Sequence, residues 1–207
     1  MIIDTALNDG TPICIRPVNA ADEERLKEGV ARLSPRSRYL RFFSGMRALP
    51  QNVVDKLIDV DGHDHIAWGA LRRDDPKTPA LGIVHAFREE GEPDVAQYSV
   101  AVIDDYHGLG AARLLTAVLL LDCQRQGYRE LLVHILAENA AGRAFARSLG
   151  AERQRADGNV IELDIGIAEA IEILRRDEDV PGLAAVFAAF CDPSISASPP
   201  AERPAAD

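Results

Sequence analysis

The residues with the most chemical potential in this chain run from Asp104 through Asp-Tyr-His-Gly-Leu-Gly-Ala-Ala to Arg113. An apolar, β-rich run (Val100 to Ile103) enters this stretch and a strongly apolar run leaves it. The pattern predicts a strand, a short loop with Gly108 and Gly110, and a helix in direct succession. Such a loop turns successive backbone N–H groups toward the helix N-terminus, where the helix dipole also favours negative charge. The implied chemistry is capture of a phosphate-bearing ligand, although similar loops also serve packing alone. A nucleotide P-loop is excluded, because no Gly-Lys-Ser/Thr follows the glycines. A dinucleotide fingerprint, Gly108-x-Gly110-x-x, meets Arg113 where glycine or alanine is needed, although Glu138 stands at a tolerable distance for a ribose contact. Only one helix and a β-hairpin then remain, which is too little for a doubly wound sheet.

The chain around this loop is acidic. Of 207 residues, 33 are Asp or Glu and 23 are Lys or Arg, for a formal charge of −10. That balance argues against a general nucleic-acid binder, which needs basic surface to displace counterions. It also calls for a local anion-binding device, since the overall field repels anions. No run approaches the roughly 18 apolar residues of a membrane span, and Met1-Ile-Ile-Asp4 lacks a charged-then-apolar export signal. The expectation is a cytoplasmic protein with neither membrane nor nucleic acid as partner. Cys14, Cys123 and Cys191 are odd in number and far apart, which predicts idle thiols rather than a disulfide scaffold. Asp61-Gly-His63-Asp-His65 invites a metal reading, but no third ligand cluster stands nearby in the sequence, and no metal is expected.

Other elements must position the loop. Residues 11–16 alternate as a strand, Asn19 caps a helix to about residue 33, and Ser34-Pro35 restarts one that Gly45 closes. Residues 50–60 form a further short helix. Strands follow at 65–71, 81–88 and 95–103, the first two separated by the Asp74-Asp-Pro-Lys77 turn and the last two paired as an antiparallel hairpin. A helix to about residue 126, a strand at 131–137, a helix from Asn139 to Gly150 and a hairpin around Asp157-Gly-Asn159 complete the core. The region 168–191 reads as a helical extension, with the apolar run Leu183 to Phe190 packed in cis in preference to burial in a dimer, and residues 192–207 as a disordered Pro/Ser/Ala tail. The whole of 1–191 is read as one α/β domain with its core at about 11–166.

His107-Gly-Leu-Gly-Ala-Ala112 matches the Gln/Arg-x-x-Gly-x-Gly/Ala pyrophosphate loop of the GNAT N-acetyltransferase superfamily except at its first position. Asp104-Asp-Tyr-His-Gly108 resembles the Asp-Asp-Trp-Gln-Gly of bacterial Pat-type protein-lysine acetyltransferases. Leu33-Ser-Pro-Arg-Ser-Arg-Tyr-Leu-Arg-Phe-Phe43 and the helix from Asn139 to Gly150 resemble further stretches of that group. The resemblance covers about residues 11–166 and implies a GNAT fold: a central, mostly antiparallel twisted sheet flanked by helices, with splayed strands at an acyl-CoA cleft. It also implies acetyl-CoA as cosubstrate, an amine acceptor such as a protein lysine, and a monomer or homodimer. The pantetheine arm would run along Val100, Ala101 and Val102. The pyrophosphate would rest on the amides of Gly108, Leu109, Gly110, Ala111, Ala112 and Arg113. Asn139 would mark the other edge, with positive charge from Arg113 and Arg143. Arg32, Arg36, Arg38, Arg41 and Arg47 would lie toward the acceptor side of the cleft, although helix-surface arginines commonly just pair with acids.

The resemblance breaks at the acid–base positions. A lysine with pKa ~10.4 is almost entirely charged at neutral pH, and its ammonium has no lone pair for the thioester. The glutamate that serves as base in the Pat-type group falls here at Gln97, and the tyrosine that other members use as acid falls at Ala146. If the hairpin turn centres on Gly91, residue 97 pairs with His85, which makes that imidazole a substitute base. The remaining readings are a base acting through water, an acceptor of lower pKa, or a catalytically weak acyl-CoA-binding regulatory module. His107 in place of Gln or Arg can still donate to phosphate, with a charge that varies with pH.

Overall fold

The computed structural model describes residues 1–191 apart from Gly45, Arg47, Pro76 and Lys77, and leaves the side chains of Arg153 and Gln154 aside. The expected tail at 192–207, Gly45 as a helix stop, Arg47 in the basic segment and the Pro76-Lys77 turn fall outside the described residues.

Eight strands form one open sheet: β1 (Ile3–Ala6), β2 (Pro12–Pro17), β3 (His65–Arg72), β4 (Gly82–Glu89), β5 (Glu92–Val102), β6 (Glu130–Leu136), β7 (Glu152–Asp157) and β8 (Val160–Gly166). Their spatial order is β1-β2-β3-β4-β5-β6-β8-β7. Every neighbouring pair is antiparallel except β5–β6, which the crossover helix between them makes parallel. The strand β1 extends the edge beyond the expected core, joined to β2 by a turn at Gly10. The helices are α1 (Glu23–Arg32), α2 (Pro35–Phe42), α3 (Gln51–Ile58), α4 (Ala111–Arg125), α5 (Ala140–Arg147), α6 (Ile167–Arg175) and α7 (Leu183–Cys191). No helix among the described residues is long and apolar enough to cross a membrane.

Each face of the sheet has its own core, because side chains alternate along a strand. Val84 and Ala86 of β4, with Ala96, Tyr98 and Val102 of β5, meet α4, α6 and α7 in the larger core. There α4 is buried continuously from Leu114 to Leu121, since the sheet covers one side and α6 and α7 the other. Each fully buried leucine in that run contributes about 1.5–3 kcal/mol. Leu183, Val186 and Phe187 of α7 bury themselves against the same core, so the apolar run packs in cis. The opposite face is thinner: Ile83 and Phe87 of β4 meet Leu26, Val30, Val54 and Leu57 from α1 and α3.

The helix α2 differs from both groups. Ser34 caps it by accepting from Ser37 N–H, Pro35 occupies its first turn, and Phe43 ends it in a left-handed conformation (φ 55°). None of its residues is buried. Leu40 and Phe42 wall a cleft, and Phe42 also packs against the thinner core.

Candidate active site

The strands β5 and β6 are in register only from Val95–Glu130 to Tyr98–Val133. Beyond that point β5 continues to Val102 without β6, and β6 continues along β8. The backbone of residues 99–102 therefore borders a V-shaped opening, in line with the expected splay. This opening is the floor of a cleft of about 650 Å³. Its walls include Leu40 to Phe43 of α2, Asn52, Val53 and Lys56 of α3, Val133 to Ile135 of β6, and Asn139 to Ala146 around α5.

At one end of the cleft stands the glycine loop. Gly108 (φ 76°) and Gly110 (φ 85°) take left-handed conformations, and Gly110 caps α4. The first intrahelical bond of α4 runs from Leu114 N–H to the Gly110 carbonyl. The amides of Ala111, Ala112 and Arg113 thus lack helical acceptors and remain available to an anion. A Cβ on Gly110 would lie 2.9 Å from both Asn8 Oδ1 and Val180 Cγ1, so the loop is also fixed by close packing against the N-terminal turn and the segment before α7.

The expected cations behave differently from the loop. Arg113 is ion-paired to Asp177 at 2.7 Å and donates to Ser148 Oγ at 3.2 Å, so its charge is already met within the protein. Arg143 lies on α5 with its Nε buried and unpartnered. Asn139 spends its side-chain oxygen on the Gly142 N–H as the cap of α5. His107 Nε2–H donates to the Val102 carbonyl at 2.8 Å, so one nitrogen of the ring is tied to the strand edge rather than free for phosphate.

At the other end Gln97 lines the cleft, and the register of its hairpin differs from the expected one. A β-bulge at Arg88/Glu89 shifts the hairpin by two residues, so Gln97 lies opposite Phe87 and His85 lies opposite Ser99. Neighbouring strand positions two apart share a face, so the shift keeps His85 on the same side while removing it from Gln97. Gln97 Nε2 instead donates to Glu89 Oε2 at 2.6 Å. Sequence reasoning passed over Glu89 because it reads as a turn residue beside Glu90-Gly91. The available signal was its period-two relation to Phe87 and His85.

His85 is only 1% exposed and joins a buried chain of imidazoles. The Asp59 carbonyl can only accept, so His65 Nδ1 carries a proton and donates to it at 2.7 Å. His65 Nε2 then accepts from His85 Nδ1–H at 3.0 Å, which leaves His85 Nε2 as a lone pair without a partner. Burial, with Arg41 and His65 nearby, holds the His85 pKa well below the usual imidazole value. Burial also lowers His65, against the hydrogen bond to Asp59. Both rings are neutral in the folded protein. Ala146, at the expected acid position, is buried against the cleft and carries no proton donor.

The α2 wall is tied to the loop side by Asp104. Its carboxylate accepts from Ser34 N–H (2.9 Å), Ser34 Oγ (2.7 Å) and Ser37 Oγ (2.8 Å). Burial acts to raise the Asp104 pKa, but these bonds outweigh it and hold the group below the ordinary carboxylate range. Asp105, the second acid of the pair, makes no such link among the described residues. Arg41, from the last turn of α2, reaches across to Ser99 Oγ at 2.7 Å. No group of three or more His, Cys, Asp or Glu side chains among the described residues is placed to hold a metal.

Comparison with known proteins agrees with this geometry. Residues 33–151 match the acetyltransferase (GNAT) family. An acetyltransferase of Pseudomonas aeruginosa is 34% identical over 152 residues, which are 72% of this chain and 80% of that protein. The acetyltransferase Pat of Mycolicibacterium smegmatis is 28% identical over 169 residues, 80% of this chain, which spans about half (49%) of that longer protein. Among solved structures, the GNAT domain of S. lividans PAT superposes with a TM-score of 0.73 at 22% identity, covering 80% of this chain and 96% of that domain. A Salmonella typhimurium protein solved with its cofactor acetyl-CoA superposes with a TM-score of 0.56 at 15% identity, covering 75% and 94%. Fold, splayed strands, glycine loop and sequence matches converge, and the chain belongs to the acetyltransferase (GNAT) family.

Proposed function

We propose that this chain transfers an acetyl group from acetyl-CoA to a primary amine, with a protein lysine as the acceptor. The observation that carries the reading is the opening of β5 from β6 after Tyr98–Val133, placed beside a left-handed glycine loop at the N-terminus of α4. A peptide-like arm finds unpaired strand edge at Val100–Val102, and a pyrophosphate finds the free amides of residues 111–113. Residues 108–110 supply the turn, and Asn139 with Arg143 borders the opposite edge. We place the reaction in the cytoplasm, consistent with Cys14, Cys123 and Cys191 all being free thiols.

The proton of the attacking ammonium falls to Glu89 rather than to His85. Glu89 is the carboxylate hydrogen-bonded to Gln97, which stands in the place of the missing base. Gln97 holds that carboxylate by its amide and cannot itself take a proton. His85 is buried behind Ser99, and its lowered pKa makes it a poor acceptor at neutral pH. The amine, once neutral, attacks the thioester carbon; the C–N bond forms, the C–S bond breaks, and the sulfur leaves as thiolate.

Calorimetry with acetyl-CoA, followed by CoA release over a panel of peptide and small amines, tests the proposal. Binding with acceptor-dependent CoA release supports it. Binding without release from any amine supports instead the regulatory acyl-CoA-binding reading that Gln97 and Ala146 favour.

A further inference from the structure

The cleft has an unusual charge for this protein. Its lining contains two cations, Arg41 and Lys56, and two imidazoles, His107 and His134, but no Asp or Glu among the described residues. The chain as a whole carries a formal charge of −10. The nearby carboxylates Glu89 and Asp104 keep their charge but are held by neutral donors, Gln97 for Glu89 and Ser34 and Ser37 for Asp104, and neither is ion-paired to Arg41 or Lys56.

Neither cation has a counter-ion among the described residues. Arg41 makes one hydrogen bond, to the neutral Ser99 Oγ, and lies 4.9 Å from the Phe42 ring centroid. Burial pulls its pKa down to about 10. A half-buried guanidinium with a single neutral hydrogen-bond partner leaves donors that an anion can fill. Lys56 lies over the Phe87 ring at 5.1 Å without an ion pair. By contrast Arg16, Arg88 and Arg113 each meet a carboxylate within 2.7 Å.

The position of these charges separates them from the phosphate loop. Arg41 touches Ser99, just past the last β5–β6 pair, and Phe87 beneath Lys56 lies opposite Gln97. Ser99 to Val102 spans about 10 Å of strand, and the glycine loop lies beyond that. The two cations therefore flank the end of the cleft where the amine must arrive.

We propose that the acceptor is a primary amine accompanied by a carboxylate, which Arg41 and Lys56 receive while the amine faces Glu89 and Gln97. The inference rests on the acetyl-transfer reading above. The shared chemistry fits two sources, an α-amino acid carrying its own carboxylate or a lysine flanked by acidic residues in a polypeptide. Arg41 on Ser99 and Lys56 over Phe87 line the same cleft, and a guanidinium suits a planar carboxylate.

The test measures acetyl-CoA-dependent CoA release by the full chain with matched acceptors. One series holds peptides with a single lysine flanked by Glu, Gln or Arg; the other pairs free amino acids with their carboxamides. The expected result is a kcat/KM about 10- to 100-fold higher for the carboxylate-bearing member of one series, which also identifies the source. Arg41→Gln should erase that preference, Lys56→Gln should reduce it, and Arg41→Lys should restore part of it. Calorimetric acetyl-CoA binding by each variant verifies that it is folded. Turnover with no carboxylate preference, or with preference for Arg-flanked lysine, overturns this proposal alone. A change on Arg41→Gln in the choice between succinyl-CoA and acetyl-CoA, with acceptor preference intact, also overturns it by placing the carboxylate on the acyl group. Acetyl-CoA binding without release from any acceptor overturns the transfer reading, and this proposal with it.

Discussion

The two ends of the β5 cleft are built from different materials. The loop end is made of backbone: left-handed glycines, free amides of the first turn of α4, and a strand edge without a neighbour. Its one conspicuous cation, Arg113, is already neutralised by Asp177. The opposite end is made of side chains from separate elements: Arg41 from α2, Lys56 from α3, and Gln97 and Ser99 from β5, with Glu89 at the end of β4 hydrogen-bonded to Gln97 outside the lining. Backbone geometry is set by local sequence and serves any ligand with the same pyrophosphate and amide arm. Side-chain chemistry depends on which helices lie against the sheet and on the register of one hairpin. On the proposed reading, cofactor capture and acceptor choice would therefore vary independently in this molecule.

The sharpest way to break that comparison is Glu89→Gln. If the acceptor end holds the proton acceptor, kcat should fall about 10²- to 10⁴-fold while the acetyl-CoA dissociation constant stays within a factor of two. Steady-state kinetics beside calorimetry separates the two ends, and an unchanged kcat would remove Glu89 from the reaction.

Gly110→Ala attacks the other end. A side chain there must accept φ 85° and push into Asn8 and Val180 at 2.9 Å. The expected cost is about 2–4 kcal/mol, read as a lower melting temperature together with weakened acetyl-CoA binding. Intact binding in a merely destabilised protein would show that the loop serves packing alone.

Behind Ser99, two buried imidazoles give the fold a pH dependence near neutrality. His65 and His85 are held neutral in the fold, whereas in the unfolded chain they charge below about pH 6.5. The unfolded state therefore binds more protons below that value, and stability falls as pH falls. For His85, held well below the usual imidazole value, the slope approaches about 1.4 kcal/mol per pH unit, and His65 adds in the same direction. Chemical denaturation between pH 7 and pH 5 measures it, and His85→Phe should flatten the curve.

Asp104→Asn probes the tie between the ends and has the smallest expected effect, about 1 kcal/mol. The folded pKa of Asp104 lies below its unfolded value. Its contribution is thus present above about pH 4 and is lost as pH falls through the folded value. The difference in melting temperature between the variant and the parent should shrink across that window.

Much of the architecture was legible because local rules agree with the fold. The Ser34-Pro35 cap, the period of β4, the unbroken apolar run of α4 and the turn at Asp157-Gly-Asn159 each imply one element without reference to anything distant. The splay was implied only by the family resemblance, since no periodicity marks where one strand stops pairing. The strand β1 went unread although Asn8-Asp-Gly10 after an alternating run is a hairpin signal; a four-residue edge strand gives too short a pattern to stand out. The Gln97–His85 pairing failed for a physical reason, because a bulge inserts residues without a sequence signature and a count through the turn cannot detect it.

By itself the sequence determined the backbone-built half of the protein: an acidic chain with a strand, a glycine loop and a helix able to hold an anion by its amides. Those features depend on neighbours within a few residues, and φ > 0 at Gly108 and Gly110 is a local demand. Only the tertiary structure decided the other half. It put Glu89 on Gln97, Arg41 on Ser99 and Lys56 over Phe87, and it buried His85 away from the cleft. Those contacts join residues from separate elements, and their energies come from burial and charge across the sheet, which no local pattern encodes.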